Sequence, residues 1–436
     1  MNASERHFLF LQGPHGPFFA RLAQMLEAAG AACHRVAFNR GDQHFWHDSK
    51  TLLPFRAPPE QWSVTLTDHL KQLKITDLVL YGDVRPIHAE AIRQAHERGI
   101  TVHVFEEGYI RPYWVTYERN GSNGNSRLME LSVADMRAAL ATAEPEAIDP
   151  VAAWGDLRQH IFYGAYYHTF VIFMNAAYRN FKPHRAIRAA DEFRLYLRRL
   201  LTMPLHWARR NRLTRRIRRA GYPFHVVLLQ LAHDSNVIAH SDFTSPEDFH
   251  EHVIKGFAEG APGHHHLVFK AHPLEDGRIP EARAISYIAR QYAVEKRVHY
   301  VPGGKLARLL NLARSAVTLN STAGQQALWR GMPLRVFGRA VYDKPEFVSR
   351  QPLADFFRAP NRPDLQAYHD FRQYLLETSQ VPGGFYSARA RSQLLRMVTD
   401  MVLAPLDPYD AFANRTGAPR QPFNIANKNV NAPDGY

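Results

Sequence analysis

The apolar positions of this chain fall into short continuous runs separated by amphipathic stretches, and the two patterns alternate. Phe8-Leu9-Phe10-Leu11 is too short for a helix and suits a strand buried on both faces. Gly13-Pro14-His15-Gly16-Pro17 reads as a tight loop, and Phe18 to Ala29 has the spacing of a helix that Gly30 closes. Strands are then expected at His34 to Phe38, Asp77 to Tyr81 and Thr101 to Phe105, with helices at Trp62 to Leu73 and His88 to Arg98. The alternation stops at the loop Asn120 to Ser126, and Val133 to Asp156 reads as connecting helix. It restarts after Gly221, with strands at Phe224 to Gln230, His266 to Lys270, Val298 to Val301, Ala316 to Asn320 and Leu334 to Phe337. Helices at Pro246 to Ala258, Pro280 to Tyr292, Lys305 to Ala313 and Gly324 to Arg330 separate them.

Strand–helix alternation predicts parallel, doubly wound sheets, and two such halves predict an α/β chain of GT-B-like architecture, two Rossmann-like domains facing a cleft. The first strand–helix turn lacks G-x-G-x-x-G, which argues against a dinucleotide dehydrogenase. The expected organisation is a first Rossmann-like domain over 1–150, a helical insert over 151–222, a second Rossmann-like domain over 223–345, C-terminal helices over 346–414 and a tail over 415–436. The tail is rich in Asn, Pro and Gly, a composition that predicts disorder.

The insert changes the picture through its charge. The chain has 436 residues, 45% hydrophobic and 22% charged, an ordinary soluble composition, with a net charge of +13. Residues 179–220 hold fourteen Lys and Arg against two acids, so +12 of that charge sits in one segment. Before it lies an uncharged aromatic run, Ile161 to Tyr178, whose four tyrosines, His168 and Asn175 make it too polar to span a bilayer. Ile187, Ala190, Phe193, Leu197 and Leu200 then recur at helical spacing among arginines. Two readings stand side by side: a hairpin that packs on a domain with its arginines merely solvated, or a basic amphipathic surface that meets a polyanion, above all anionic lipid. On the second, Arg209, Arg210, Arg212, Arg215 and Arg216 are the membrane-facing residues. No DNA- or RNA-binding module is found, so nucleic acid is not an expected partner. One cysteine, Cys33, excludes a disulfide framework and a Cys-based zinc cluster, and it fits a reducing cytoplasm. The first residues carry no signal-peptide pattern, so the protein is expected to stay where it is made.

Four short constellations are chemical candidates. Glu106 and Glu107 stand at a strand end, where a carboxylate reaches the ligand crevice, although solvated or capping acids look the same in sequence. Adjacent side chains point to opposite sides, so one of the two is expected to face the crevice. Lys270, His272 and Pro273 end another strand, and the proline biases His272 toward an extended backbone that aims its imidazole outward. Ser321, Thr322 and Gly324 join a strand to a helix, which suits either a phosphate site or an ordinary cap. Gln12, Gly13, His15 and Gly16 open the first helix, and Gln230 ends the first strand of the second half. No cluster has metal-ligand spacing, and His264-His265-His266 reads as a loop tract.

The order and spacing of GPHGPFF, FEEGYIRPYWVTYE, LLQLAHDS, FKAHP, LNSTAG and GGFYS resemble the capsular polysaccharide biosynthesis family of KpsS/LipB type, over most of the chain. The resemblance implies a retaining β-Kdo transferase that moves Kdo from CMP-β-Kdo to a phosphatidylglycerol-type lipid, starting the linker of a capsular polysaccharide. It implies Glu107 as nucleophile, where relatives carry Asp, with Glu106 as the fallback. His272, Ser321 and Thr322 are implied to hold the departing CMP, and Lys270 or Arg111 to pair with the Kdo carboxylate. It implies no cofactor beyond the donor. Its implied partners are CMP-Kdo, an anionic glycerophospholipid, the inner-membrane surface and other capsule assembly proteins, with a cytoplasmic, peripheral location. The alternative is a nonenzymatic capsule assembly or export partner at the inner membrane.

Overall fold

The structure is a computed structural model and describes residues 2–142, 156–181, 208, 210–231, 240–272 and 281–416. In chain order the strands are β1 (His7–Phe10), β2 (Ala32–Ala37), β3 (Leu52–Pro54), β4 (Asp77–Tyr81), β5 (Thr101–Glu107) and β6 (Trp114–Arg119). They continue with β7 (Phe224–Leu228), β8 (His266–Lys270), β9 (Val298–Val301), β10 (Ala316–Thr318), β11 (Leu334–Val336) and β12 (Gln380–Pro382). Two compact units share them. The first comprises Met1–Arg127, Asp135–Ala186 and Gln373–Ile425, and the second Leu128–Ala134, Ile187–Arg372 and Ala426–Tyr436.

The first unit is a seven-stranded sheet in the order β12-β6-β5-β4-β1-β2-β3. β1 pairs in parallel with both β2 and β4, Phe8 standing opposite Cys33 and Asp77. The apolar run of β1 divides between two faces because successive side chains alternate. Phe8 and Phe10 join Phe105, Tyr117, Phe18, Leu22, Leu394 and Val398 on the side of helices Phe18–Ala28 and Ala388–Leu403. Leu9 and Leu11 join Leu78, Leu80, Val102, Leu66 and Ala91 on the side of helices Trp62–Gln72 and Pro86–Glu97. Each fully buried phenylalanine here is worth about 1.5–3 kcal/mol. At the amino ends of β4 and β5, Asp77 accepts from Arg6 at 2.5 and 3.1 Å and meets His103 Nε2 at 2.9 Å. Arg6 also donates to Val402 O at 2.9 Å, which ties the last long helix to the sheet.

The second unit is a five-stranded, all-parallel sheet in the order β11-β10-β7-β8-β9. Val227, Leu267, Phe269 and Val317 pack against Phe249, Val253, Phe257, Ile285 and Phe357 on one face. Phe224, Val268, Val301, Leu309 and Ile217 form a smaller cluster on the other. Helix Pro246–Gly260 starts at a capping box in which Ser245 and Asp248 satisfy each other's backbone N–H, with proline at its first turn.

Both units have the α/β, Rossmann-like winding expected. The domain limits differ from the expected ones. Residues 346–414 are divided between the units: β12 completes the first sheet by pairing antiparallel with β6, which would otherwise leave an open edge, and Leu394 and Val398 supply the apolar face that covers it. The insert is divided as well, helix Asp156–Phe173 belonging to the first unit and residues 210–220 to the second. Residues 143–155, 182–207 and 417–436, with Arg209 and much of the expected insert and tail, lie outside the described residues.

Candidate functional site

Open α/β sheets bind ligands outside the carboxyl ends of their strands, at the point where strand order reverses. In the first unit that point lies between β1 and β4. Gln12, which continues β1, is 4% exposed. Its backbone oxygen accepts from Tyr81 N at 3.1 Å, its side chain donates to Asp42 at 3.1 Å, and it accepts from Arg85 at 3.4 Å. Asp42 also accepts from Phe38 N at 3.1 Å and from the Tyr167 hydroxyl at 3.0 Å. Helix Asp156–Phe173 thus covers the Gly13 to Gly16 loop: the Tyr167 ring stacks on His15 with centroids 4.5 Å apart, and Tyr163 lies 3.2 Å from where a Gly16 side chain would begin. Gly13 meets Phe19 in the same way.

One strand further on, β5 ends in Glu106 and Glu107, both half-buried. They leave the strand on opposite faces. Glu107 Oε1 accepts from the Tyr81 hydroxyl at 3.3 Å, and among the described residues its other oxygen takes no hydrogen bond. Glu106 turns toward Gly82, and its Oε1 accepts from Glu107 N at 3.0 Å. Burial first, then the two carboxylates, hold the ionisation of Tyr81 well above that of an ordinary phenol, so Tyr81 stays a neutral donor to Glu107. Phe385 of GGFYS meets the Tyr81 ring at 5.5 Å. Tyr109 of FEEGY points inward instead: its hydroxyl donates at 2.6 Å to Glu118, which also accepts from Ser126 at 2.5 Å and from Tyr409. Burial pushes Glu118 up to about 7. Arg111 is exposed, its Nε donating to Gly108 O at 3.2 Å.

In the second unit the strand order reverses between β7 and β10. Gln230 and Asn320, which continue those strands, clasp each other: Gln230 donates to Asn320 Oδ1 at 2.8 Å and accepts from Asn320 N at 3.3 Å. Ser321 follows, 8% exposed. Its hydroxyl accepts from Ala323 N at 3.2 Å, so it caps its own turn, and its carbonyl accepts from Gly324 N at 2.9 Å and from the Tyr342 hydroxyl. A Cβ on Gly324 would stand 2.6 Å from that Tyr342 oxygen, so the turn closes only around glycine. Thr322 is half-buried beside it. The helix beyond spans only Gly324–Leu328, shorter than expected, so its dipole contributes less at the turn than a full helix would.

Across β7, β8 ends in Lys270, 4% exposed, whose Nζ donates to Ala271 O at 2.8 Å. Burial first and the Arg210 guanidinium second push the Lys270 ammonium down to about 8. His272 is half-buried two residues later, and Pro273 lies outside the described residues. Among the described residues no group of three His, Cys, Asp or Glu side chains forms a candidate metal site. The His264–His266 tract is drawn apart, His265 facing His225 at 3.0 Å and His266 facing His299 at 2.9 Å.

Residues 76–386 match the family described as "Capsule polysaccharide biosynthesis protein". The chain belongs to that family. It is 33% identical over 387 residues to the capsule polysaccharide modification protein LipB of Neisseria meningitidis serogroup B, covering 88% of this chain and 92% of that one. To the capsule polysaccharide export protein KpsS of Escherichia coli it is 30% identical over 385 residues, covering 88% and 97%. A solved structure of Thermosulfurimonas dismutans KpsC, a beta Kdo 2,7 transferase, overlaps 84% of this chain and 89% of its own at 12% identity with a TM-score of 0.37.

In this member of the capsule polysaccharide biosynthesis family, then, Gln12, Glu106 and Glu107 stand at strand ends of the first unit, and Gln230, Lys270, His272, Ser321 and Thr322 at or just beyond strand ends of the second. Tyr81, Arg85, Asp42 and Tyr342 were not anticipated. Tyr81 carried a signal, since it ends an apolar run, but its place beside Glu107 follows from β4 pairing with β5. The exposed arginines of the 210–220 helix are Arg212, Arg215, Arg216, Arg218 and Arg219. Arg210 departs from the expected membrane-facing set: it is partly buried and turned toward Gly304, because Ile217, 4% exposed, seats the helix on the sheet. Among the described residues no helix is long and apolar enough to cross a membrane.

Proposed function

We propose that this protein is a retaining glycosyltransferase of capsule biosynthesis, which moves Kdo from CMP-β-Kdo onto a phosphatidylglycerol-type lipid and so starts the poly-Kdo linker. The observation that carries the reading is the half-buried carboxylate of Glu107 at the end of β5, hydrogen-bonded by a neutral tyrosine. Retention is most simply met by two displacements. A Glu107 oxygen forms a bond to the anomeric carbon of Kdo as the bond from that carbon to the CMP phosphate breaks, the electron pair leaving with CMP. The acceptor hydroxyl then forms the new glycosidic bond, frees the carboxylate and gives up its proton to solvent. Tyr81 keeps Glu107 oriented without competing for its charge. The second unit takes the nucleotide, with His272, Ser321 and Thr322 donating to the phosphate as negative charge gathers on it. Arg111 or Lys270 takes the Kdo carboxylate. The donor brings no further cofactor, and Lys270 supplies positive charge of the kind a divalent ion supplies elsewhere. The enzyme works on the cytoplasmic surface of the inner membrane, beside other capsule assembly proteins.

The export label of the E. coli relative favours a second reading, a nonenzymatic assembly partner. One experiment separates the two. Incubated with CMP-Kdo and no acceptor, the protein is expected to gain the mass of one Kdo residue, mapped by fragmentation to Glu107. An adduct on Glu106 would exchange the roles of the two acids. No adduct and no CMP release, with or without phosphatidylglycerol, would leave the export reading in its place.

A further inference from the structure

At one corner of the second unit two cations converge. Lys270 is buried, and among the described residues its Nζ makes one hydrogen bond, to Ala271 O, of the three an ammonium can donate. Lys270 pairs in register with Val301, and the chain turns beyond Val301 through Gly303 and Gly304. Arg210 lies on that turn: a Cβ on Gly304 would stand 2.9 Å from Arg210 Cδ and 3.3 Å from its Nε. That Nε is buried and, among the described residues, has no hydrogen-bond partner. Arg210 is near enough to Lys270 to lower its proton affinity, and no acid among the described residues offsets the effect. A buried ammonium held beside a second, partly buried cation costs stability, a cost that an anion taken between them offsets. The arrangement is held rigidly, since Ile217 fixes the helix on the sheet and β8 fixes Lys270.

We propose that Arg210 and Lys270 form an anion-binding pair that takes a carboxylate or phosphate group of the sugar-nucleotide donor. The identity of the donor rests on the function proposed above, whereas the pair itself rests on its own geometry. Two strand spacings separate the ends of β8 and β10, about 10 Å. The pair and the Ser321–Thr322 turn therefore suit different groups of one ligand. Arg210, read in the sequence as membrane-facing, becomes a specificity residue.

The test reads Lys270 directly. The intact protein is acylated at pH 8 with acetic anhydride, and modification of the Lys270 peptide is measured by mass spectrometry with inorganic phosphate, free Kdo or CMP present. At least one of these anions is expected to slow acylation of Lys270 about fivefold or more, with Arg210→Gln abolishing the protection and Arg210→Lys restoring part of it. Protection by Kdo but not phosphate assigns the pair to the carboxylate, and protection by phosphate and CMP assigns it to the phosphate. No protection by any of the three, or equal protection in folded Arg210→Gln, overturns the pair. Calorimetry of CMP with the wild-type protein is run alongside. Absence of CMP binding with phosphate protection intact would sink the donor reading and leave the pair standing.

Discussion

The Glu107 carboxylate takes one hydrogen bond among the described residues, from a phenol that burial keeps neutral. If it is the nucleophile, Glu107→Gln is expected to lower Kdo transfer by at least about a thousandfold, the scale on which removal of a covalent nucleophile is felt. Tyr81→Phe removes only the orienting bond and is expected to lower kcat about tenfold to a hundredfold with KM little changed, since a hydrogen bond to a charged group is worth about 1.5–3 kcal/mol. Steady-state kinetics on both variants checks the pair, and an undiminished kcat in Tyr81→Phe would remove Tyr81 from the site. Lys270 carries a pH dependence with two signs. Its folded value, about 8, lies below the ordinary 10.5. Between those values the unfolded chain binds the extra proton, so stability rises with pH over that window. Relative to Lys270→Met, denaturant unfolding of the wild type is expected to show this gain from about pH 8 upward. Anion affinity at the pair runs the other way and falls as pH rises through about 8, because the neutral amine no longer attracts the anion. A residue that costs stability at neutral pH and serves a ligand there is what a binding site, rather than a core, retains.

At the scale of the element, the strands that were legible are those whose apolar runs are compact and bounded by polar or turn-forming residues. Asp77–Tyr81, His266–Lys270 and Val298–Val301 occur where the pattern places them. β3 and β12 are three residues long, and β6 (WVTYER) alternates too irregularly to be told from loop, so pairing partners rather than composition make them strands. Gln380 pairs with Thr116, and no local pattern carries that separation. The same limit applies to the site. Glu106, Glu107, Ser321 and Gln230 were visible as strand ends, whereas the roles of Tyr81 and Arg210 depend on which strand lies beside which and where a basic helix is seated. Two element-scale predictions follow from contacts of this kind. Asp77→Asn leaves Arg6 buried without its counter-charge and is expected to cost about 3–5 kcal/mol in urea unfolding. Gly324→Ala drives a methyl against the buried Tyr342 hydroxyl and is expected to cost about 1–3 kcal/mol, with CMP affinity falling as the Ser321–Thr322 turn is displaced. Unchanged unfolding and binding in Gly324→Ala would show that the turn yields freely and does not set the site.

For the whole molecule the question is what its basic and aromatic surfaces meet. Helix Asp156–Phe173 packs Tyr163 and Tyr167 inward and leaves Ile161, Phe162 and Phe173 exposed at 64%, 60% and 74%. In the second unit, helix 210–220 buries Ile217 and exposes Arg212, Arg215, Arg216, Arg218 and Arg219. Exposed aromatics insert at the headgroup level, while each arginine near an anionic surface adds roughly 1 kcal/mol that salt screens. The two contributions therefore separate by ionic strength. Cosedimentation with phosphatidylglycerol vesicles is expected for the wild type and to weaken as salt rises. Reversing Arg212, Arg215, Arg216, Arg218 and Arg219 to Glu, with Arg210 untouched, should release the protein at physiological salt while transfer to a soluble acceptor analogue stays near the wild-type rate. Phe162→Ser with Phe173→Ser should instead weaken binding at every salt concentration and leave a residual attachment that high salt removes. If the arginine variant still sediments at moderate salt, those arginines are a solvated face. If neither variant differs from the wild type, neither surface is the membrane contact, and a lipid acceptor would have to be presented to the enzyme by another protein.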